Sequence, residues 1–200
     1  MTLAVAGGFD VPPTLGSRAT HVISAMGGFN GRPLRAGDRV PLGSKAATAR
    51  PPAPPALPVV ALPSAHAHLR VLPGPQHDLF AADALDALCS APYSVAPNSD
   101  RMGFRLDGPR LNHRGSADII SDATPLGTLQ VPSSGQPILL MADRQTTGGY
   151  PKIATLISAD LAVAGQLAPG DLITFGVCSP REALAALIAQ EQALFRMETR

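Results

Sequence analysis

The sequence predicts a mainly β fold with a few helices. Gly (19) and Pro (21) are both frequent in the 200 residues, and a chain that turns so often suits short strands better than a helical bundle. The apolar runs between those turns are short, as in "HAHLRVLPGP", "GTLQVP", "QPILLMAD" and "DLITFGVC". The clearest helical signal is confined to the C-terminal end, where apolar residues recur at helical spacing. A hydrophobic content of 45% against 16% charged residues places the chain among globular rather than disordered sequences.

Taken in order, "TLAVAGG" (2–8) reads as a strand ending on Gly7-Gly8, followed by a loop of turn formers over 10–20. "LRAGD" (34–38) reads as a tight turn into the strand "RVPLG" (39–43). Repeated Pro over 51–63 forbids regular pairing and marks a linker or domain boundary. "HAHLRVLPGP" (66–75) is a strand entering a Pro-Gly-Pro turn. A helix is predicted over 77–90, capped by Asp78, with Ala81, Leu85 and Leu88 on one face.

Two short strands are expected within 93–111, and further strands at 117–122, 127–132 and 136–143. Then come a strand, a short helix capped by Asp160, a Pro-Gly-Asp turn and a strand. Ser179-Pro180-Arg181-Glu182 has capping-box spacing with Pro at the first helical position. Leu184, Leu187, Ile188 and Phe195 follow on one helical face. The three helices are expected to plug or flank a barrel.

Composition narrows the function. A net charge of +1 and the absence of Trp argue against a nucleic-acid partner or an anionic membrane surface. No run of about 18 apolar residues is present, so no membrane span is expected. The start lacks the basic and apolar segments of a secretory signal. Two cysteines, Cys89 and Cys178, fit thiols in a reducing cytoplasm.

The candidate chemistry lies in donors for an anion. In "ADRQTTGGYPKIAT" (142–155), Gly148 and Gly149 could bare consecutive N–H groups, with Thr146, Thr147, Tyr150 and Lys152 adding hydroxyls and an ammonium. The competing reading is a glycine turn of a β-hairpin between two core strands. Arg101 and Arg105, four apart in "SDRMGFRLDG", would share a side of a strand and could clamp a carboxylate or phosphate. Ion pairs with Asp100 and Asp107 are the alternative. Arg18, beside Gly16 and Ser17, is a third possible clamp, against a plain surface turn. His66 and His68 share a face but lack further ligands at metal-binding spacing, so no metal site is expected. No phosphate-loop motif, serine elbow or Cys–His pair is present.

"LAVAGGFDVPPTLGSRAT", "LRAGD", "LPGPQ", "NSDRMGFRLDGP", "QVPSSGQPILLMADRQTTGGYPKIATLISADL" and "QLAPGD" follow one another in this order. This succession resembles the large-subunit family of the biotin-dependent carboxyltransferase type, which includes the C-type subunits of 5-oxoprolinase and is also called allophanate hydrolase subunit 2. The resemblance runs from Leu3 to about Glu182, and its most specific blocks are "ADRQTTGGYPKI" and "SDRMGFRLDG". It implies a cyclophilin-like β-barrel over 64–200, with 1–50 as the remainder of an incomplete N-terminal lobe. Family members usually carry about a hundred further residues ahead of the "LAVAGG" strand, in line with domain-size norms, so an N-terminally truncated chain is expected. They also tend to have Ser-Glu where this chain has Ser121-Asp122.

The activity implied is ATP-dependent opening of 5-oxoproline to glutamate, with Mg²⁺. The partners implied are a smaller homologous subunit and a third, lactam-utilisation-type subunit. One alternative is carboxyl transfer from carboxybiotin in a urea carboxylase/allophanate system; another is an inactive or purely binding subunit. Under the first reading Lys152, Arg101 and Asp143 are the expected catalytic groups. Arg18, Arg105, Gln130, Gln145, Thr146, Thr147, Gly148, Gly149 and Tyr150 are the expected substrate contacts.

Overall fold

A computed structural model describes residues 5–44 and 65–198. The chain divides into two compact units, Met1–Pro54 and Pro55–Arg200. The Pro-rich linker expected over 51–63 lies outside the described residues.

In the N-terminal unit, short strands β1 (Thr20–His21) and β2 (Met26–Gly27) pair antiparallel. The described part of the strand expected over 2–8 is instead a turn, closed by Gly8 N–H donating to Val5 O at 2.9 Å. The expected strand 39–43 is also absent: Leu42 forms a single bridge with Phe9. Pro41 lacks an N–H, so a ladder cannot run through it. The turn in "LRAGD" forms, with Asp38 N–H on Arg35 O at 3.1 Å, and Arg32 holds the Asp38 carboxylate through two bonds of 2.8 Å.

The second unit supplies the barrel. Its strands are β3 (His66–Pro73), β4 (Tyr93–Val95), β5 (Gly103–Asp107), β6 (Asp122–Ala123), β7 (Thr128–Gln130), β8 (Ile138–Leu140), β9 (Thr147–Gly148), β10 (Lys152–Leu156) and β11 (Leu172–Val177). Seven of them close in the order β10-β3-β11-β4-β5-β8-β7. All neighbours are antiparallel except β3 and β11. β6 and β9 form a separate two-stranded ribbon. The mainly β barrel with a few helices is the fold that the turn-rich sequence and the family resemblance both imply.

Alternation along the strands selects the core. In β3, Ala67, Leu69 and Val71 are buried while His66 and His68 are exposed. They join Val95, Leu106, Leu129, Leu139, Ile153, Ile173 and Phe175 in one apolar cluster, as a period of two requires when one face lines a closed sheet. Helix α1 (Ala84–Ser90) adds Ala84 and Leu88 to that cluster, one turn apart.

Three elements depart from the sequence expectation. The first helix starts at Ala84 and not near Asp78: a 3₁₀ turn occupies His77–Leu79, and Phe80 turns extended to bridge His113, with the two rings 4.7 Å apart. Asp78 therefore caps nothing. Asp160 stands at the start of α2 (Leu161–Ala164) but makes no cap bond; its carboxylate is used by Arg70. The strand expected over 117–122 shrinks to Asp122–Ala123.

Helix α3 (Pro180–Glu198) does begin with the capping box, Ser179 N–H on Glu182 Oε2 at 2.7 Å and Glu182 N–H on Ser179 Oγ at 3.3 Å. Its apolar face is rotated from expectation. Leu184, Ile188 and Phe195 are exposed, whereas Ala183, Ala186, Leu187 and Gln190 are partly covered. Gln190 Nε2 donates to Ala159 O at 3.4 Å.

Tyr93 gives the barrel a pH limit. Its ring is fully buried edge-on to Phe175, with centroids 5.8 Å apart, and its hydroxyl donates to Pro109 O at 2.9 Å. Burial pushes the phenol up to about 12, because the phenolate it would form has to exist without water. A raised folded value means that this contribution to stability is whole below the ordinary tyrosine range near ~10 and is lost as pH climbs from there towards 12. In a Tyr150→Phe variant, where Tyr93 is the sole phenol, phenolate absorbance is expected to stay low until unfolding begins. Ionisation at the ordinary value in a folded chain would contradict this packing.

Candidate functional site

Strand register sets four side chains in one row across the outer wall of the barrel. Arg105 of β5 pairs with Ile138 of β8, Ile138 pairs with Gln130 of β7, and Gln130 pairs with Lys152 of β10. Directly opposed residues share a face, and three strand spacings make the row roughly 14 Å long. The neighbouring residues Leu106, Leu129 and Leu139 belong to the core cluster, so the row faces away from it. Its two ends differ: Arg105 is exposed, while Gln130 and Lys152 are buried to 1% and 2% exposure.

A cavity of about 240 Å³ lies on the Arg105–Gln130 part of the row. Its lining also includes Asn98, Asp100, Met102 and Gly103, Ile138 and Leu140 of β8, and Gln145 and Tyr150. A second cavity of about 310 Å³ shares Asn98, Arg105 and Ile138 with it, so Arg105 stands between the two. The Arg105 guanidinium makes no hydrogen bond or ion pair with a described residue: Asp100 Oδ1 is taken by the N–H groups of Met102 and Gly103 at 2.8 and 3.3 Å. An exposed, uncommitted guanidinium presents two parallel donors to a carboxylate.

The amides beside it are held in place. Gln130 Nε2 donates to Tyr150 O at 3.2 Å, and Gln145 Nε2 donates to Gln130 Oε1 at 3.3 Å. Each side-chain amide has two donor hydrogens and one acceptor oxygen. Gln145 Oε1 and one N–H on each residue therefore remain uncommitted among the described residues, the set that a ligand amide needs.

The "QTTGGY" stretch is not a hairpin between core strands. β7 lies between β8 and β10, so the segment crosses outside β7 and pairs as β9 with β6, Asp122 opposite Gly148. Neither Gly148 nor Gly149 has a positive φ, so the alternating backbone of an anion nest is not formed there. Gly148 is needed for another reason. A Cβ at that position would sit 2.6 Å from Gln130 Nε2, so the missing side chain lets the ribbon close over Gln130. Thr146 and Thr147 are exposed; Thr146 O accepts Thr124 N–H at 3.0 Å.

The remaining expected site residues are not among those lining the cavity. Lys152 Nζ donates to Asp122 Oδ2 at 2.8 Å beneath the ribbon. That ammonium, with the Ala123 N–H and Gln76, holds the Asp122 carboxyl below its ordinary value. Arg101 is outside β5, so it shares no strand face with Arg105. It pairs with Asp143 at 2.8 and 3.1 Å and not with Asp100. Asp143 N–H also donates to Arg101 O at 2.8 Å, which ties the two blocks at the rim. The pair is 80% and 49% exposed and adds little in water. Arg18 belongs to the N-terminal unit, where its Nε donates to Val11 O at 2.9 Å. His66 and His68 are exposed on β3 and share Thr174 Oγ1 at 3.3 and 3.1 Å. No group of three or more metal-ligating side chains occurs among the described residues.

The family model described as "Carboxyltransferase domain, subdomain A and B" matches residues 1–177. The chain belongs to that family. The match ends where β11 ends, so the row lies inside the carboxyltransferase-domain region and α3 lies beyond it. The 5-oxoprolinase C-type subunit of Escherichia coli K12 is 41% identical over 190 residues, 95% of this chain and 60% of that protein. Its namesake from Haemophilus influenzae is 37% identical over 181 residues, 90% of this chain and 57% of that protein. The chain thus spans somewhat more than half the length of these relatives. The solved urea carboxylase of Kluyveromyces lactis superposes with a TM-score of 0.73 at 28% identity, covering 96% of this chain and 19% of that one.

Sequence reasoning named Arg105, Gln130, Gln145 and Tyr150 but missed Asn98, Ile138, Leu140 and Gln76. Asn98 opens the same "NSDR" block and could have been read with it. Gln76 carries no local signal; it reaches the site only because Gly74 lets the turn close on β10, where a Cβ would lie 2.2 Å from Lys152 O. No helix among the described residues is long and apolar enough to cross a membrane.

Proposed function

We propose that this carboxyltransferase-family chain is the large, C-type subunit of an ATP-dependent 5-oxoprolinase and binds 5-oxoproline in the cleft between Arg105 and Gln130. The observation that carries the reading is an unpaired guanidinium lying near two amides with free hydrogen-bonding groups on the same face of the barrel. 5-Oxoproline bears a carboxylate and a lactam on one small ring. Arg105 takes the carboxylate through its paired N–H groups. Gln145 Oε1 accepts the lactam N–H, while the free N–H groups of Gln130 and Gln145 donate to the lactam oxygen. Tyr150, Leu140 and Ile138 complete the lining around the ring.

These contacts orient the ring and place two N–H dipoles on the oxygen where charge gathers when the amide is attacked. Arg101–Asp143 pins the rim, and Lys152 acts from beneath Gln130; both are positioning groups, because neither lines the cleft. Thr146, Thr147 and Gly149 shape the ribbon that carries Gln145 and Tyr150. In a 5-oxoprolinase complex ATP would activate the lactam carbonyl by phosphorylating its oxygen, so that water could open the ring C–N bond and phosphate be released by hydrolysis. The cleft's one unpaired cation and lack of a glycine-rich phosphate loop do not fit a Mg²⁺–triphosphate. We assign nucleotide binding to the partner subunits, a smaller homologous one and a lactam-utilisation-type one. The two free cysteines agree with the reducing cytoplasm in which such a complex would work.

A second reading, carboxyl transfer to urea from carboxybiotin, is favoured by the overlap with urea carboxylase. Arg105 would then hold the carboxybiotin carboxylate and the two glutamines the urea. The test is a reconstitution with the two partner subunits. The expected result is 5-oxoproline-dependent ATP hydrolysis with glutamate formed. Carboxyl transfer to urea with a biotin-carrying partner, and no turnover of 5-oxoproline, would overturn the first reading for the second. Inactivity on both substrates would support the purely binding alternative.

A further inference from the structure

Lys152 is a buried cation that the binding contacts do not use. A hydrophobic residue of similar volume would hold a barrel wall as well or better, because an ammonium taken out of water loses hydration that a single ion pair seldom repays. Asp122 is half-exposed and sits on the ribbon formed by β6 and β9, each of two residues. So short a ladder is marginal without an anchor.

Three observations describe how it is anchored. Lys152 Nζ meets Asp122 Oδ2 at 2.8 Å. Gln76 joins them, its Nε2 donating to the same oxygen and its Oε1 accepting the Lys152 N–H, both at 3.3 Å. Across the ribbon from Asp122 lies Gly148, the residue that abuts the Gln130 amide, and two residues on is Tyr150, whose carbonyl holds Gln130 Nε2.

We propose that Asp122 and Gln76, through Lys152, are positioning residues: they latch the ribbon onto the barrel and so fix the Gln130 amide and the Gln145–Tyr150 wall for ligand binding. The proposal rests on the cleft being the 5-oxoproline site, but the latch can be read without ligand. The reporters are the amides of Ile119 and Thr124, which donate to Gly149 O at 2.8 Å and Thr146 O at 3.0 Å across the ribbon. The Leu106 amide, donating to Pro137 O within the barrel at 3.0 Å, is the control.

The experiment is amide hydrogen exchange on the ligand-free chain, with calorimetric titration of 5-oxoproline, for wild type, Asp122→Asn and Asp122→Glu. Asp122→Asn is expected to speed exchange at Ile119 and Thr124 roughly tenfold, leave Leu106 unchanged and weaken 5-oxoproline binding roughly tenfold. Asp122→Glu restores both, since it returns the carboxylate. A Gln76→Ala variant should show a smaller shift in the same direction. Unchanged exchange at Ile119 and Thr124 in Asp122→Asn overturns the latch. Equal acceleration at Leu106 also overturns it, because the pair would then be acting on global stability. If wild type binds no 5-oxoproline while ribbon exchange still responds to Asp122, the lactam reading fails and the latch stands. If wild type binds and Asp122→Asn loosens the ribbon without weakening binding, the positioning role fails alone.

Discussion

Arg105→Met is expected to weaken 5-oxoproline binding about 10- to 150-fold and to leave the unfolding transition where it is. The magnitude follows from hydrogen bonds to a charged group, worth about 1.5–3 kcal/mol net. Nothing in the fold compensates: Arg105 is the guanidinium lining the cleft, and Arg101 is occupied by Asp143. Stability should not change, because the side chain is exposed and pairs with no described residue. Methionine keeps the unbranched stem over Ile138, so loss of affinity reports the lost charge. Arg105→Lys should recover only part of it, since an ammonium cannot offer the paired donors of a guanidinium. Isothermal titration checks the affinity and a thermal melt checks the fold. Equal affinity in Arg105→Met would remove the carboxylate from this cleft.

For stability the most sensitive position is Asp160. Asp160→Ala should lower the unfolding free energy by about 2–4 kcal/mol. The β3–β10 ladder ends at the pair Val71–Leu156, which leaves the Arg70 N–H without a partner on β10. Asp160 Oδ2 supplies one at 2.8 Å and also takes the Arg70 guanidinium at 3.0 Å, with Oδ1 at 2.6 Å. A side chain thus extends the sheet by one bond. Most of the loss is the orphaned N–H; the ion pair counts for less, because the Arg70 side chain is 40% exposed. Asp160→Asn keeps an acceptor and should cost less than Asp160→Ala. Equilibrium denaturation of the three proteins decides it, and a change below about 0.5 kcal/mol in the alanine variant would contradict this role for the carboxylate.

Asp160 also shows where sequence reading stops. Its position before "LAVA" is a cap position and was legible as such, but the carboxylate serves a strand 90 residues away. The same limit governs the site. Period-two alternation makes β3 and β11 legible, and the Ser179–Glu182 spacing makes the start of α3 legible, because each depends on neighbours in sequence. The Arg105–Ile138–Gln130–Lys152 row depends on three strand registers at once, and no local pattern carries a register between strands joined by long connections.

Arg101 and Arg105 look equivalent four residues apart, yet β5 starts between them and sends one to Asp143 and the other to the cleft. "QTTGGY" resembles a hairpin because apolar runs flank it. Those runs are strands, but β7 separates them, and that spatial order is absent from the local sequence. Phe80 delays the start of the predicted helix for a comparable reason: its partner, His113, is far along the chain.

Whether the cleft between Arg105 and Gln130 holds 5-oxoproline is decided by backbone amide shifts during a titration with that compound. Saturable shifts are expected, confined to residues 98–105, 130, 138–140 and 145–150, moved to about 10- to 150-fold higher ligand concentration in Arg105→Met and not reproduced by urea. Saturable shifts elsewhere on the chain, or the same shifts with an unchanged titration midpoint in Arg105→Met, would contradict the assignment of the lactam to this cleft.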